Sequence, residues 1–193
     1  KADAAVQINQ VEPIIGKEML LNAIYAVVIA WALMLIYIAI RFEFKSGVVG
    51  LAALIHDVLV IIGVFALLEK QIDMNFVAAA LTIIGYSINN TIVIFDRIRE
   101  NLKSKTKDDT YEEIVNLSLL QSMRRSLNTS ATTVLAVLVL YLVGSPSIRD
   151  FMLALLIGLT IGNYSSLFMA TPLWSLWKTS AEKRSRAAKV ATA

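Results

Sequence analysis

The sequence predicts an all-α protein, a polytopic membrane bundle of five transmembrane helices. The chain has 193 residues, of which 57% are hydrophobic, and its mean hydropathy is +0.66. A soluble domain of this size has too little polar surface to cover so many apolar side chains. Five apolar segments are long enough to cross about 30 Å of hydrocarbon, at about residues 20–40, 48–68, 76–95, 126–143 and 151–173.

The composition argues against several functional classes. The chain contains no cysteine and a single histidine, His56, so it lacks the thiolate and imidazole ligands that zinc or copper sites require. Nothing in the sequence resembles a nucleophile beside its base, a phosphate-binding loop or a nucleic-acid surface. We therefore expect no metal, no cofactor and no enzymatic activity.

Basic residues are distributed unequally between the two sides of the predicted bundle. The connections after spans one and three, together with the C-terminal tail, hold 14 of the 18 Lys and Arg residues. Basic loops remain in the cytoplasm during membrane insertion. The asymmetry therefore predicts a cytoplasmic C-terminus and an N-terminus on the outer side.

The sequence divides into three predicted parts. Residues 1–18 resemble the trailing edge of an external domain, because hydrophobic and polar residues alternate from Val6 to Val11 as they do in a β-strand. Residues 19–173 form the transmembrane domain, and residues 174–193 form a basic cytoplasmic tail. We expect the chain to be a piece of a longer polypeptide.

A cytoplasmic amphipathic segment is predicted at residues 111–125, between spans three and four. Its apolar residues recur at helical spacing behind a charged start, which is typical of a helix at a membrane surface. We expect this helix to lie along the membrane face and to turn inward at Arg124 and Arg125.

Polar side chains form a stripe on each of two predicted spans. Lipid cannot satisfy amides and hydroxyls, so each stripe must face protein or water, and we expect the two stripes to face each other. Either they handle ions, or they simply join helices at about 0.6 kcal/mol for each hydrogen bond. The residues are Thr82, Tyr86, Asn89 and Asn90 in span three, and Arg125, Asn128, Thr129, Thr132 and Thr133 in span four.

Asp57 lies near the middle of span two and is the second candidate for ion handling. An unpaired carboxylate at this depth costs about 2.5–3.5 kcal/mol even on insertion scales, so it marks either function or a firm partner. The alternative is a structural lock, in which Asp57 accepts hydrogen bonds from a neighbouring helix. His56 is adjacent but lies about 100° around the helix, so the two side chains need not share a partner.

Span five carries small residues at four-residue spacing, Gly158, Gly162 and Ser166. Such a face lets another helix approach closely, although it specifies no function.

One stretch resembles a known family. The segment from Gly85 to Asn101, GYSINNTIVIFDRIREN, resembles the signature of SecF, the smaller subunit of the SecDF protein-export complex in the RND superfamily. Its charged end, at the cytoplasmic end of span three, holds Asp96, Arg97, Arg99, Glu100 and Asn101. Further fragments agree in order and spacing, and the resemblance extends over about residues 11–172.

The resemblance implies the SecF half of an RND-type transmembrane domain in the bacterial cytoplasmic membrane. Such a subunit helps preproteins through the SecYEG channel, using the proton or sodium motive force together with SecD. The chain would be a separate SecF or the SecF half of a fused SecDF. Two alternatives remain: a scaffold subunit that conducts nothing, and half of an RND-type exporter of lipids or small molecules.

The chain departs from the family pattern at one position. The family's intramembrane Asp is replaced here by Asn90, and an amide cannot bind and release a proton near neutral pH. Either the chain is an engineered variant resembling the protonated state, or it is a natural member in which Asp57, SecD or sodium performs the task. The ion-relay candidates are therefore Asn90, Asn89, Asp57 and Arg125, the last of which retains its match to the family.

Overall fold

A computed structural model of the chain describes residues 13–41, 44–106 and 109–191. The described residues form six α-helices and contain no strand. A π-helical turn, Ser166–Ala170, joins the last two helices. The α-helices are α1 (Pro13–Arg41), α2 (Phe44–Leu67), α3 (Met74–Lys103), α4 (Tyr111–Val143), α5 (Pro146–Ser165) and α6 (Thr171–Ala191).

Five helical stretches are apolar enough to belong in a membrane. Four of them are long enough to span it, namely α2, α3, α4 and the continuous run Pro146–Arg184, and the shorter fifth is Leu21–Tyr37 within α1. The predicted all-α bundle of five membrane helices is therefore confirmed. The strand predicted from Val6 to Val11 lies outside the described residues.

Helix α4 is one continuous helix, so the turn predicted at Arg124 and Arg125 is wrong. No Gly or Pro occurs between residues 111 and 143, and nothing else interrupts the helical hydrogen bonds. The helix starts at a capping box, in which the Glu113 amide donates to Thr110 Oγ1 at 3.2 Å and the Thr110 amide donates to the Glu113 carboxylate at 2.8 Å. The predicted surface segment is thus the first half of α4.

The last helical run continues beyond the predicted end of span five at residue 173. Trp174 and Ser175 are buried, so the residues assigned to the tail begin inside the bundle. The run Pro146–Arg184 contains 39 residues, which extend about 58 Å at 1.5 Å per residue. Because the hydrocarbon core is about 30 Å thick, this run is longer than a single crossing requires.

Aromatic packing around Trp174 explains why α6 remains attached to the bundle. The Trp174 ring lies 6.3 Å from the Phe95 ring of α3 and 6.1 Å from the Tyr111 ring of α4. The Lys178 ammonium lies 5.4 Å from the Trp174 ring, a cation–π geometry. These contacts join α3, α4 and α6 at the end of the bundle that carries the basic residues.

Helix α3 occupies the centre of the bundle. In the most apolar stretch of α3, 56% of the residues are buried, compared with 11% in the most apolar stretch of α4. Its neighbour α5 approaches it closely at Gly158, where an added Cβ would clash with Ile83 and lie 2.6 Å from its Cγ1 and 2.8 Å from its Cγ2. The small-residue face of span five therefore packs against α3.

Replacing Gly158 with Ala should destabilise the bundle by about 1–3 kcal/mol, the usual cost of overpacking. Ile83 is buried and β-branched, so its side chain cannot move aside freely. The matched control is Gly63→Ala, because a Cβ at Gly63 meets no atom within 4 Å. Denaturant unfolding in mixed micelles measures both variants. Equal stability of the two would contradict the close packing of α5 on α3.

Candidate functional site

Asp57 joins three membrane helices. Its side chain is 1% exposed in α2, and its Oδ2 accepts a hydrogen bond from Ser87 Oγ of α3 at 2.7 Å. The same oxygen accepts a second hydrogen bond from Ser165 Oγ of α5 at 2.8 Å. Two hydroxyl donors from different helices compensate much of the cost of burying a carboxyl group.

His56 contacts Asp57 directly, which sequence reasoning missed. The imidazole Nδ1 lies 3.3 Å from Asp57 Oδ1, although adjacent helical residues point in different directions. The side chain of His56 remains 35% exposed, against 1% for Asp57. The pair therefore connects the surface of α2 with the buried carboxyl group.

Further hydroxyl groups continue the buried cluster along α3 and α5. Thr91 Oγ1 and Ser166 Oγ lie 2.9 Å apart, and Ser166 Oγ donates to the Gly162 carbonyl at 2.7 Å. A Cβ at Gly162 would lie 3.0 Å from Ser87 Cβ and 3.5 Å from Asp57 Oδ2. Because Gly162 has no side chain, Asp57 of α2 and Ser87 of α3 can lie close to its backbone.

The helix changes its winding immediately beside this cluster. The π-helical turn begins at Ser166, one residue after the serine that donates to Asp57. π-helical turns in α-helices occur frequently at functional sites. Sequence reasoning did not predict this turn, although Pro172 follows it closely and cannot donate the usual helical hydrogen bond to the carbonyl of Phe168.

The two amides of the signature helix have different environments. Asn90 is buried at 4% exposure, and within the described part of the chain its Nδ2 has no hydrogen-bond partner. Asn89 is exposed and borders a groove between α1 and α3 that also includes Tyr37, Gly85 and Ile92. The stripe predicted on span three therefore divides between the core and the surface.

The predicted stripe on span four meets α3 at one point. The Tyr86 hydroxyl lies 3.4 Å from both Ser130 Oγ and Thr133 Oγ1, so the structure brings Tyr86 and Thr133 together. Asn128, Thr129 and Thr132 are exposed. The Thr132 and Thr133 hydroxyls both donate to the Thr129 carbonyl, which satisfies them within their own helix.

Arg125 does not lie at the level of Asn90. It is exposed and lines a pocket at the charged end of α3, together with Asp96, Arg97 and Glu100. The antiparallel register explains this, because Tyr86 meets Thr133 while later residues of α3 meet earlier residues of α4. The two predicted stripes therefore meet at Tyr86 and Thr133, while Arg125 lies beside the charged end of α3.

The charged end of α3 fastens that helix to α4. Asn101 Nδ2 donates to Ser118 Oγ at 2.8 Å and to Gln121 Oε1 at 3.0 Å. Arg97 pairs with Glu100 one turn along the same helix. Asp96 and Arg99 line a second pocket at this end with Glu100. No group of acidic or histidine residues suited to a metal ion occurs among the described residues.

The fold and the site define a multi-pass membrane protein with a polar cluster among its central helices. The family model described as "Protein export membrane protein SecD/SecF, C-terminal" matches residues 1–180. The chain belongs to this family.

Relatives and solved structures agree with that assignment. The chain is 49% identical over 182 residues to the protein translocase subunit SecF of Alicyclobacillus acidocaldarius, covering 93% of the chain and 59% of that relative. It is 47% identical to the protein translocase subunit SecDF of Bacillus subtilis, covering 89% of the chain and 24% of that relative. The crystal structure of SecDF from Thermus thermophilus matches with a TM-score of 0.82 and 42% identity, covering 86% of the chain and 23% of that structure.

Removing either serine hydroxyl from Asp57 should weaken the bundle. Ser87→Ala and Ser165→Ala should each cost about 1.5–3 kcal/mol, the range for hydrogen bonds to charged groups. The double variant should cost more than the sum of the two, because Oδ2 then has neither hydroxyl donor.

The control for the serine variants is Thr160→Val. The exposed Thr160 hydroxyl donates only to the Leu156 carbonyl of its own helix, so its loss should change stability by less than about 0.5 kcal/mol. Unfolding free energies in mixed micelles provide the measurement. If each serine variant lowers the unfolding free energy no more than Thr160→Val does, and the double variant shows only the sum of the two changes, the serines do not support Asp57.

Proposed function

We propose that the chain is the membrane part of a SecF-type subunit that assists preprotein export. The observation that carries this proposal is the extent of the similarity, 49% identity over 93% of the chain to a protein translocase subunit SecF. The chain spans 59% of the length of that relative. The chain therefore corresponds to part of such a subunit, and we propose that it contributes to the export activity of the whole.

The proposed partners are SecD or a SecD half, the SecYEG channel and a preprotein. Similarity to chains named SecDF supports the SecD partner, because this chain corresponds to 24% of the Bacillus subtilis protein. The exposed polar side chains of Asn128 and Thr129 in α4 also support a protein partner. Hydrocarbon would leave their remaining polar atoms unsatisfied.

The proposed location is the bacterial cytoplasmic membrane, with the N-terminus of this chain outside and its C-terminus in the cytoplasm. The excess of basic residues after spans one and three and in the tail supports this orientation.

The proposed mechanism couples ion movement to motion of the complex and involves no enzymatic step. One charge crossing 100 mV supplies about 2.3 kcal/mol, which is enough to shift a two-state equilibrium appreciably. Asp57 is the proposed carrier, because it is a carboxyl group buried among three helices. Asn89, Asn90 and Arg125 remain the other proposed ion-relay candidates.

A scaffold that holds SecD against the channel is the alternative. Two observations favour it: Asn90 cannot carry a proton, and the two serine donors to Asp57 are also what a structural lock requires. The scaffold and the motor predict different responses of export to the membrane potential and to substitution of Asp57.

Export in vesicles distinguishes the two functions. In vesicles whose SecDF complex carries this chain as its SecF membrane part, Asp57→Asn should abolish the proton-dependent component of preprotein translocation. Asn90→Asp should change that component, because it introduces a second titratable group at the family's usual position. Arg125→Ala tests Arg125 as an ion-relay candidate in the same assay.

The membrane amount of the complex, measured by immunoblot, controls for folding, and Thr160→Val serves as the neutral variant. If Asp57→Asn, Asn90→Asp and Arg125→Ala all leave the proton dependence unchanged at normal complex levels, the ion-relay function is wrong. The scaffold function would then be favoured.

A further inference from the structure

We propose that His56 and Asp57 share one exchangeable proton, and that this pair is an intramembrane proton-binding site entered through His56. The proposal deepens the ion coupling proposed above and rests on it for its link to export. The proton-binding part can be tested without export. It assigns a role to His56 that sequence reasoning did not give it.

Asp57 Oδ2 keeps its hydrogen bonds whether the proton is held by Asp57 or by His56. Asp57 Oδ2 accepts from Ser87 and Ser165, and the carboxylate and the neutral acid can both accept there. Asp57 Oδ1 lies 3.3 Å from His56 Nδ1. A proton between these two atoms can therefore move without loss of either serine hydrogen bond.

The exposure of the two side chains defines the direction of access. Asp57 is 1% exposed, whereas 35% of the His56 side chain lies outside the packed helices, so the imidazole is the side chain through which a proton can reach the carboxylate. The packed helices present Ser87 from α3 and Ser165 from α5 to Asp57. Among the described residues, His56 is the titratable side chain that the structure brings into contact with it.

The proton transfer is balanced at every atom. In the resting pair, neutral His56 carries its proton on Nδ1 and donates it to the Asp57 carboxylate. An entering proton binds Nε2 while the Nδ1–H bond breaks and an Oδ1–H bond forms. The products are neutral Asp57 and neutral His56 with its proton on Nε2. Release reverses these steps, and the imidazole acts as a two-ended relay.

The single histidine makes this pair directly observable. Histidine labelled with ¹⁵N gives the ring signals of His56 alone, and solid-state NMR of the chain in lipid bilayers identifies the protonated nitrogen. At alkaline pH the chain should carry the ring proton on Nδ1, with a through-space contact to a ¹³C-labelled aspartate carboxyl group. The Asp57→Asn variant should move the proton to Nε2, because the amide group donates to Nδ1.

Two outcomes of the NMR measurement would overturn the pair. One is an Nε2-protonated ring in the unsubstituted chain at alkaline pH. The other is a ring spectrum that Asp57→Asn leaves unchanged. The unsubstituted chain alone decides the first outcome, so the proposal remains testable if Asp57→Asn does not fold. Thr160→Val is the control, and its spectrum should match that of the unsubstituted chain.

His56→Gln tests the link to export. Gln retains a hydrogen-bonding side chain but cannot exchange a proton, so this variant should lose the proton-dependent component of translocation as Asp57→Asn does. Full proton dependence in His56→Gln would overturn the entry role of His56. If the NMR result agrees with the shared proton while Asp57→Asn still exports normally, the pair stands and the proposed function fails.

Discussion

The arrangement of the membrane helices depends on the two hydrogen bonds that Ser87 and Ser165 donate to Asp57. They connect α2, α3 and α5 through one carboxyl oxygen, at a site where an unsatisfied carboxylate would cost several kcal/mol. Close approach of the backbones makes these bonds possible, and Gly162 provides it. The polar cluster and the small-residue face of α5 are therefore one structural feature.

This arrangement bears on Asn90, which stands where the resemblance to SecF implies an intramembrane Asp. Asn90 is buried without a partner for its amide nitrogen among the described residues, and Arg125 lies elsewhere, beside the charged end of α3. The chain still has a buried carboxyl group at Asp57, with an imidazole in contact. If ion coupling is retained, the residues available to it are thus displaced from the signature motif to α2.

The fold followed from the sequence because length and hydropathy alone determine whether a helix can span a membrane. Asp57 was identifiable for a similar reason, since a charge within an apolar run is costly wherever it points. The partners of Asp57 were not predictable, because Ser87 and Ser165 lie on other helices and their meeting depends on helix rotation and register. The same dependence explains why the sequence did not indicate which members of the two stripes meet. The contact between His56 and Asp57 was not predictable either, because it depends on the side-chain torsion angles of these two adjacent residues.

Isotope-edited infrared spectroscopy of the chain in bilayers tests the central claim most directly, because it observes the Asp57 carboxyl group itself. Aspartate labelled with ¹³C separates these carboxyl bands from those of glutamate, and Asp57→Asn identifies the band of Asp57. If Asp57 binds the proton, its band should convert reversibly between carboxylate and carboxylic acid as the pH is changed. A band that stays in one form throughout the range in which the protein remains folded would contradict the claim and leave Asp57 a purely structural tie.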